Sequence, residues 1–392
     1  MKSFNFYNIT NSAFKKLGFS CAFTFAIIAS NTLAEDKLPT QFTDVTLDSK
    51  LKIDFEPVND MLDANVFNMG PSRRVNAKRP RASMGTKLKR AISASTHNEA
   101  NRFTYELIQK NNHEDKVTAI KLYLESIPAK TSLKQYNRAE QLAYWLNLYN
   151  ITVINEIVKR YPRIRLKKLL TGSNSLLDEK LINIDGIELS LNDIHHDILY
   201  KNYYKNPLII YGLYQGNIGG PNINKKAYTG KNVYRLLKAN ATEFINSNRG
   251  TNTDMFSELE VSSYYARNAD YFPDFEHDLR SHLLQFADEK TSKKIDLADE
   301  LTANINNWKV TDLYGSDRVF GGGTAPGAAG MLGSGADPSL TQKVMEDANM
   351  GKGVNLTDTQ ISRLRQLMKV RAKNIGNTSV TVNDLDDSED DN

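Results

Sequence analysis

Cysteine is almost absent from this sequence, since the 392 residues include only Cys21. That residue lies in an apolar run over residues 17–29, which follows three lysines and is too short to span a bilayer as a mature helix. The pattern is typical of a secretory signal peptide. The small residues of Thr32-Leu33-Ala34 place the expected cleavage after Ala34, so the sequence predicts a periplasmic or secreted protein.

The expected mature chain has no thiol. This excludes thiolate nucleophiles, disulfides and Cys-based zinc sites from the exported form. A lipoprotein is disfavoured because Cys21 lacks the leucine and small residues expected before a lipidated cysteine. Removal of residues 1–34 also takes three lysines and no acid, so the formal net charge falls from +4 to about +1. No second apolar run approaches a membrane span, so we expect a soluble mature protein and not an integral membrane protein.

Acidic residues are missing from residues 64–98, a stretch that carries eight lysines and arginines. Arg73, Arg74, Arg79 and Arg81 are the candidates there for binding an anionic partner. Export argues against nucleic acid and favours an anionic polymer or another protein of the cell envelope. The alternative is a solvated arm neutralised by the protein's own acids.

The chain divides by composition into six parts. They are a signal peptide (1–34), an extended basic arm (35–100), a main domain (101–316), a Gly-rich linker (317–340), a helical extension (341–383) and an acidic tail (384–392). We expect one main domain of the α+β class, rich in helices, with a small mixed or antiparallel sheet around a central buried helix.

Hydrophobic periodicity predicts that central helix over residues 138–160, ending before Pro162. Asp185-Gly186 indicates a hairpin within residues 182–189, and Ser190 with Asp193 resembles a capping box for the next helix. Residues 207–214 have the pattern of a strand. The other expected helices cover residues 102–110, 116–126, 231–246, 274–287 and the amphipathic 357–370, and the other strands 258–262 and 305–313.

Three ordered motifs resemble the domain of unknown function 547 family: QLAYWLNLYN from Gln141, LSLNDIHHDIL from Leu189 and IYGLYQGNIGGPNINKKAYTGKNVY from Ile210. The resemblance covers about residues 133–244, and the flanking segments are similar to exported gammaproteobacterial members. It implies a fold and a compartment more than a reaction. Many relatives have cysteines at the positions of Gln215 and Gly220 and an arginine at that of Tyr200. The histidine of the family pattern is kept here as His196, while the acidic residue that precedes it in that pattern is replaced by His195.

The glycine-rich loop is the first candidate site. Its residues Gln215, Gly216, Asn217, Gly219 and Gly220 offer backbone amides to an oxyanion, although the same glycines also suit an irregular turn.

His196 is the second candidate, as a general base or as a structural histidine. Its partners would be Asn147 and Asn150, one turn apart on the central helix. Alternatively, those asparagines hold backbone groups of the loop in place.

Metal and cofactor sites are not predicted. The histidine spacings do not suit zinc, the Gly-rich segment after residue 320 has no Gly-Lys-Ser/Thr, and capping accounts for Ser190 and Asp193 without a Ser-His-Asp triad. The sequence favours a cell-envelope binding protein for an anionic polymer or peptide. The alternatives are a hydrolase or transferase that uses His196 and the loop at residues 215–221, and a scaffold that uses the helix at 357–370.

Overall fold

The structure is a computed structural model that describes residues 42–72, 74, 95–96, 99–110, 112–162, 164–253 and 258–312. The expected signal peptide, the Gly-rich linker, the helical extension, the acidic tail and most of the basic stretch lie outside these residues. None of the helices within the described residues is both long and apolar enough to cross a membrane.

The fold is organised around one long helix, Arg138–Arg160, as predicted. It begins at Asn137, whose side chain accepts a hydrogen bond from the Glu140 amide, and it is buried continuously from Glu140 to Val158. A helix that is buried on every side must be covered by several elements. Phe42, from a segment far upstream, packs edge to face on Trp145 with ring centroids 5.4 Å apart.

Helices supply most of the regular structure and small sheets the rest, which confirms the predicted α+β class. In chain order the α-helices are α1 (Glu56–Asn65), α2 (Tyr105–Lys110), α3 (Glu114–Lys130), α4 (Arg138–Arg160), α5 (Leu166–Thr171), α6 (Val233–Ile245), α7 (Ser263–Ala266), α8 (Phe275–Leu284) and α9 (Glu289–Leu297). The strands are β1 (Val66–Phe67), β2 (Arg102–Phe103), β3 (Ile182–Ile184), β4 (Ile187–Leu189), β5 (Thr251–Thr253), β6 (Glu258–Ser262) and β7 (Glu300–Ile305).

The sheets are short. β1 pairs with β2, and β3 with β4, both antiparallel, while β6 pairs antiparallel with β5 and parallel with β7. The β3–β4 hairpin is the predicted one, and its turn residues Asp185 and Gly186 have φ angles of 51° and 83°. Two successive positive φ angles are the requirement of a type I′ turn, which explains the Asp-Gly pair.

Several elements differ from their predictions. Residues 56–65 form α1 instead of an extended arm, because Val58, Met61 and Leu62 share one buried face. The predicted strand at 207–214 is a 3₁₀ helix, Pro207–Gly212, which begins at the capping side chain of Asn206. A short apolar run satisfies either conformation, and periodicity alone does not separate them. The last strand lies earlier than predicted, at Glu300–Ile305, and the helix expected from residue 102 begins at Tyr105.

The histidine-bearing segment is helical, as predicted, but winds as a π-helix from Asp193 to Tyr200. The predicted capping box precedes it. The Ser190 amide donates to Asp193 Oδ2 at 2.6 Å, and the Asp193 amide donates to Ser190 Oγ at 3.0 Å. π-helical turns are uncommon and occur often at functional sites, so this segment and its neighbours are of interest for the site.

Candidate functional site

Asn147 and Asn150 hold backbone segments against α4. Asn147 Nδ2 donates to the Tyr228 carbonyl at 2.8 Å, and its Oδ1 accepts from the Tyr228 amide at 3.0 Å. Asn150 makes the same pair of bonds to the Gly212 carbonyl and the Tyr214 amide, both at 2.9 Å. The side-chain amide of each buried asparagine therefore has both its NH2 group and its oxygen in hydrogen bonds. The geometry therefore favours the interpretation in which the asparagines position backbone over the one in which they orient His196.

The glycine-rich loop is a buried turn sealed by a segment from the end of the main domain. The amides of Ile218 and Gly219 donate to the carbonyls of Lys309 and Asn307, at 2.9 and 2.8 Å. The Gly220 amide donates back to the Asn217 carbonyl at 3.2 Å. An oxyanion site made from the Gly219 and Gly220 amides would therefore have to break existing backbone hydrogen bonds.

The loop glycines have packing reasons of their own. Gly216 has a φ of 76°, and a Cβ on it would overlap Ile157 Cδ1 of α4. A Cβ on Gly219 would lie 2.5 Å from the Asn307 amide nitrogen, and one on Gly220 would lie 2.7 Å from Asn217 Oδ1. Glycine fits here because Gly216 has a positive φ and because side chains or backbone crowd the Cβ position of all three glycines, which is the turn interpretation of this loop.

His196 lies beside Asp270, away from the hydrogen bonds of the loop. Its side chain is 39% exposed, and Nδ1 is 3.9 Å from Asp270 Oδ2. Within the described chain no hydrogen bond joins His196 to Asn147, Asn150 or the loop. A general-base role for His196 therefore stays a prediction, with an exposed carboxylate as its neighbour.

His195, which stands where the resemblance implies an acidic residue, is the more unusual of the two histidines. Its ring is buried, its centroid lies 4.2 Å from that of His196, and it stacks on Tyr271 at 5.8 Å. Burial, with His196 nearby, lowers the pKa of His195 to about 3, so the ring is neutral at physiological pH. Both His195 Nε2 and the Tyr271 hydroxyl are buried, and neither has a hydrogen-bond partner among the residues that the structure describes.

Arg74 is a structural residue. Its guanidinium donates to the Thr251 carbonyl at 2.6 Å and to the Thr291 hydroxyl at 3.2 Å, and it faces the carboxylates of Glu99 and Asp288. These bonds engage Arg74 within the protein, and its binding of an external anionic partner stays a prediction. Arg73, Arg79 and Arg81 lie outside the described residues.

Arg267 is a cation that no sequence pattern predicts as a site residue. Its Nη2 donates to Gln215 Oε1 at 3.0 Å and its Nη1 to Ser263 Oγ at 3.1 Å. The guanidinium carbon lies 4.7 Å from the ring centroid of Trp308 and 5.5 Å from that of Tyr264. This places Gln215, a predicted site residue, beside a cation held between two aromatic rings.

No carboxylate pairs with Arg267 among the described residues. Burial lowers its pKa, and the hydroxyls of Tyr264 and Tyr149 partly offset that effect. Guanidinium has five N–H groups, and two of those of Arg267 donate to protein atoms. Three therefore remain for a ligand or water. The lack of an acidic partner depends on the tertiary fold, so no sequence signal marked this residue beyond the aromatic character of SSYYARNADYF.

Tyr149 of α4 belongs to the same neighbourhood. Its side chain is 2% exposed, and its hydroxyl, which interacts electrostatically with Arg267, has no hydrogen-bond partner in the described chain. Burial raises its pKa, so it is a neutral donor. Arg267 and Tyr149 thus place a charged donor and a neutral donor in the same neighbourhood. No cluster of three His, Cys, Asp or Glu suited to a metal occurs among the described residues.

Comparison with curated proteins found no match, and neither did comparison with solved structures. The predicted resemblance, placed at about residues 133–244, is confirmed at the level of the domain. Residues 133–245, which hold α4, the π-helix and the glycine-rich loop, match the family described as protein of unknown function, DUF547.

Proposed function

We propose that this protein is an exported binding protein of the cell envelope, and that Arg267 receives a carboxylate of an anionic polymer or peptide. The observation that carries the proposal is the state of the Arg267 side chain. It is partly buried and held in place, has no acidic partner in the described chain, and keeps three N–H groups free of protein acceptors.

The aromatic contacts fix the plane of the guanidinium. Stacking against Trp308 and Tyr264 limits its rotation, and the bonds to Gln215 and Ser263 fix its orientation. A preorganised guanidinium loses less entropy when it binds, and its planar fork matches the two oxygens of a carboxylate. Burial strengthens the attraction, because fewer water molecules screen the charge.

The compartment is proposed from the sequence. The first 34 residues have the pattern of a cleaved signal peptide, and envelope polymers and peptides carry the carboxylates that such a site would bind. Arg73, Arg79 and Arg81, in the acid-free stretch, would add longer-range attraction to the same anionic partner.

The geometry does not favour the hydrolase or transferase alternative. The amides of Gly219 and Gly220 are occupied, and His196 lies beside Asp270 instead of the loop. A reaction would need a donor set and a base that converge on one position.

Titration calorimetry on the chain from Glu35 tests the proposal. The probes are an N-acetylated dipeptide with a free C-terminal carboxylate and the same dipeptide as its C-terminal amide. We expect the acid to bind more tightly than the amide. We expect Arg267→Lys to weaken binding of the acid by about tenfold or more, because an ammonium loses the bidentate geometry.

Arg235→Gln is the matched control, because Arg235 is an exposed arginine on α6. Its affinity for the acid should equal that of the unaltered protein. The proposal is wrong if the unaltered protein does not distinguish the acid from the amide, or if Arg267→Gln binds the acid with undiminished affinity.

A further inference from the structure

A separate cleft opens on the side of the molecule formed by residues 205–208, α6 and α8. Its volume is about 660 Å³, within the range of small-molecule sites. The residues that matter for its chemistry are two lysines, a buried histidine and an apolar wall: Lys205, Lys238, His282, Leu208, Tyr271 and Phe286. Gln215 and Arg267 are not among the residues that line it.

The cleft has a surplus of positive charge. Neither Lys205 nor Lys238 forms an ion pair with any carboxylate of the described chain. Lys205 Nζ lies 5.5 Å from the centroid of the Tyr200 ring, which holds this ammonium near the mouth. Asp278 is the acid of the lining, and its Oδ2 accepts a hydrogen bond from the Asp274 amide at 2.9 Å. That carboxylate therefore has a structural role at the start of α8.

His282 gives the cleft a buried polar group. It is 6% exposed, and its Nε2 lies 3.0 Å from the Tyr211 hydroxyl, which in turn lies 3.2 Å from the Tyr265 hydroxyl. We take Tyr211 as the donor to Nε2, which places the ring proton of the neutral His282 on Nδ1. His282 Nδ1 has no partner in the described chain, so it is a donor left for the contents of the cleft.

The backbone at the mouth is also unusual. Tyr204 and Lys205, which are not glycines, have φ angles of 53° and 55°. They end the helical segment that carries the histidines, since the Lys205 amide donates to the Tyr200 carbonyl at 3.1 Å. Residues other than glycine are uncommon in this conformation and occur often where a side chain is positioned for function.

We infer that this cleft is a second binding site, for a small organic anion with an aromatic or aliphatic body. Lys205 and Lys238 attract the anionic group, His282 Nδ1 donates to an acceptor on the ligand, and Leu208, Tyr271 and Phe286 cover the apolar body. Ammonium groups bind carboxylate and phosphate alike, so the shared chemistry is a charged oxyanion attached to an apolar group.

Phenyl phosphate, benzoate and uncharged benzyl alcohol are the probes, and titration calorimetry of the chain from Glu35 is the measurement. We expect saturable binding of at least one anion and weaker binding of the alcohol. Tighter binding of phenyl phosphate identifies a phosphate ester as the natural class, and tighter binding of benzoate identifies a carboxylate. The double variant Lys205→Glu and Lys238→Glu should lower anion affinity by about tenfold or more, with little change for the alcohol.

Lys231→Glu is the matched control, an exposed lysine just before α6 that does not line the cleft. It should bind as the unaltered protein does. Ser281→Trp is a second variant, because Ser281 is exposed on α8 and a large ring there would fill the cleft without disturbing the core. It should abolish binding of all the probes.

Arg267→Gln separates the two proposals, since it should leave binding in the cleft unchanged. The inference is overturned if neither anion binds at about 10 mM. It is also overturned if the double variant and Ser281→Trp both keep the affinity of the unaltered protein.

Discussion

Asn147 binds both backbone groups of Tyr228, donating to its carbonyl at 2.8 Å and accepting from its amide at 3.0 Å. Asn147→Ala would leave a buried donor and a buried acceptor without partners. We expect the free energy of unfolding to fall by about 2–4 kcal/mol, measured by urea denaturation. Asn306→Ala is the control, because Asn306 bonds to Asn304 at the surface, and it should change stability little. Equal stability of the two variants would contradict the structural role of Asn147.

The glycine at position 216 can be compared with that at 186. Both have positive φ, but a Cβ on Gly216 would overlap Ile157, while a Cβ on Gly186 would meet open space. We expect Gly186→Ala to cost about 1 kcal/mol of stability and Gly216→Ala several times more. Adding Ile157→Val to Gly216→Ala removes the overlapping methyl group and should recover part of the loss in thermal denaturation. No recovery would show that backbone strain alone sets the cost.

Buried histidines should make the protein sensitive to acid. Burial lowers the pKa of His282 to about 4 in the folded state, whereas an unfolded histidine titrates near its ordinary value of about 6.5. Between these values the unfolded chain binds more protons, so stability falls as the pH falls through this range. The contribution of His282 is about 3 kcal/mol, and His195 acts in the same direction.

Urea denaturation at several pH values between about 7 and 4 measures this loss. His282→Gln should reduce the slope of stability against pH. His277→Gln, which alters an exposed histidine on the same helix, should keep it. A slope that does not change in His282→Gln would show that other groups control the acid sensitivity.

The proposed export makes a direct prediction about the mature chain. We expect the protein recovered from the envelope to begin at Glu35, as determined by N-terminal sequencing and intact mass. Cys21→Ser should leave export and the mature terminus unchanged, because the proposed cleavage after Ala34 would remove this residue. A lipidated chain beginning at Cys21 would contradict the cleavage prediction and support the lipoprotein alternative.

Local signals predicted the fold well where the neighbouring residues determine the structure. The bounds of α4 follow from its cap at Asn137 and the proline after Tyr161, and the β3–β4 hairpin follows from Asp185 and Gly186. Residues 207–214 were assigned wrongly because an apolar run fits a strand and a buried 3₁₀ helix equally well.

The candidate site was less predictable, because its properties arise from residues distant in sequence. The loop amides are not free to bind a ligand, because they donate to carbonyls about ninety residues downstream. Arg267 is of interest because no carboxylate of the described chain pairs with it. Gln215 was predicted as a site residue, but its contact with Arg267 depends on how the chain folds back. Likewise, His195 and His196 are adjacent in sequence, and nothing in the sequence predicts that His195 is buried whereas His196 is half-exposed.

The hydrogen bonds that cover the glycine-rich loop bear on where the folded unit begins and ends. The segment that matches the family stops at residue 245, yet the carbonyls that complete its loop come from Asn307 and Lys309, and Phe42 covers Trp145 from the other direction. A fragment cut at the family boundaries would expose unpaired amides and an indole that are covered in the whole protein. The unit that folds is therefore longer at both ends than the segment that matches the family.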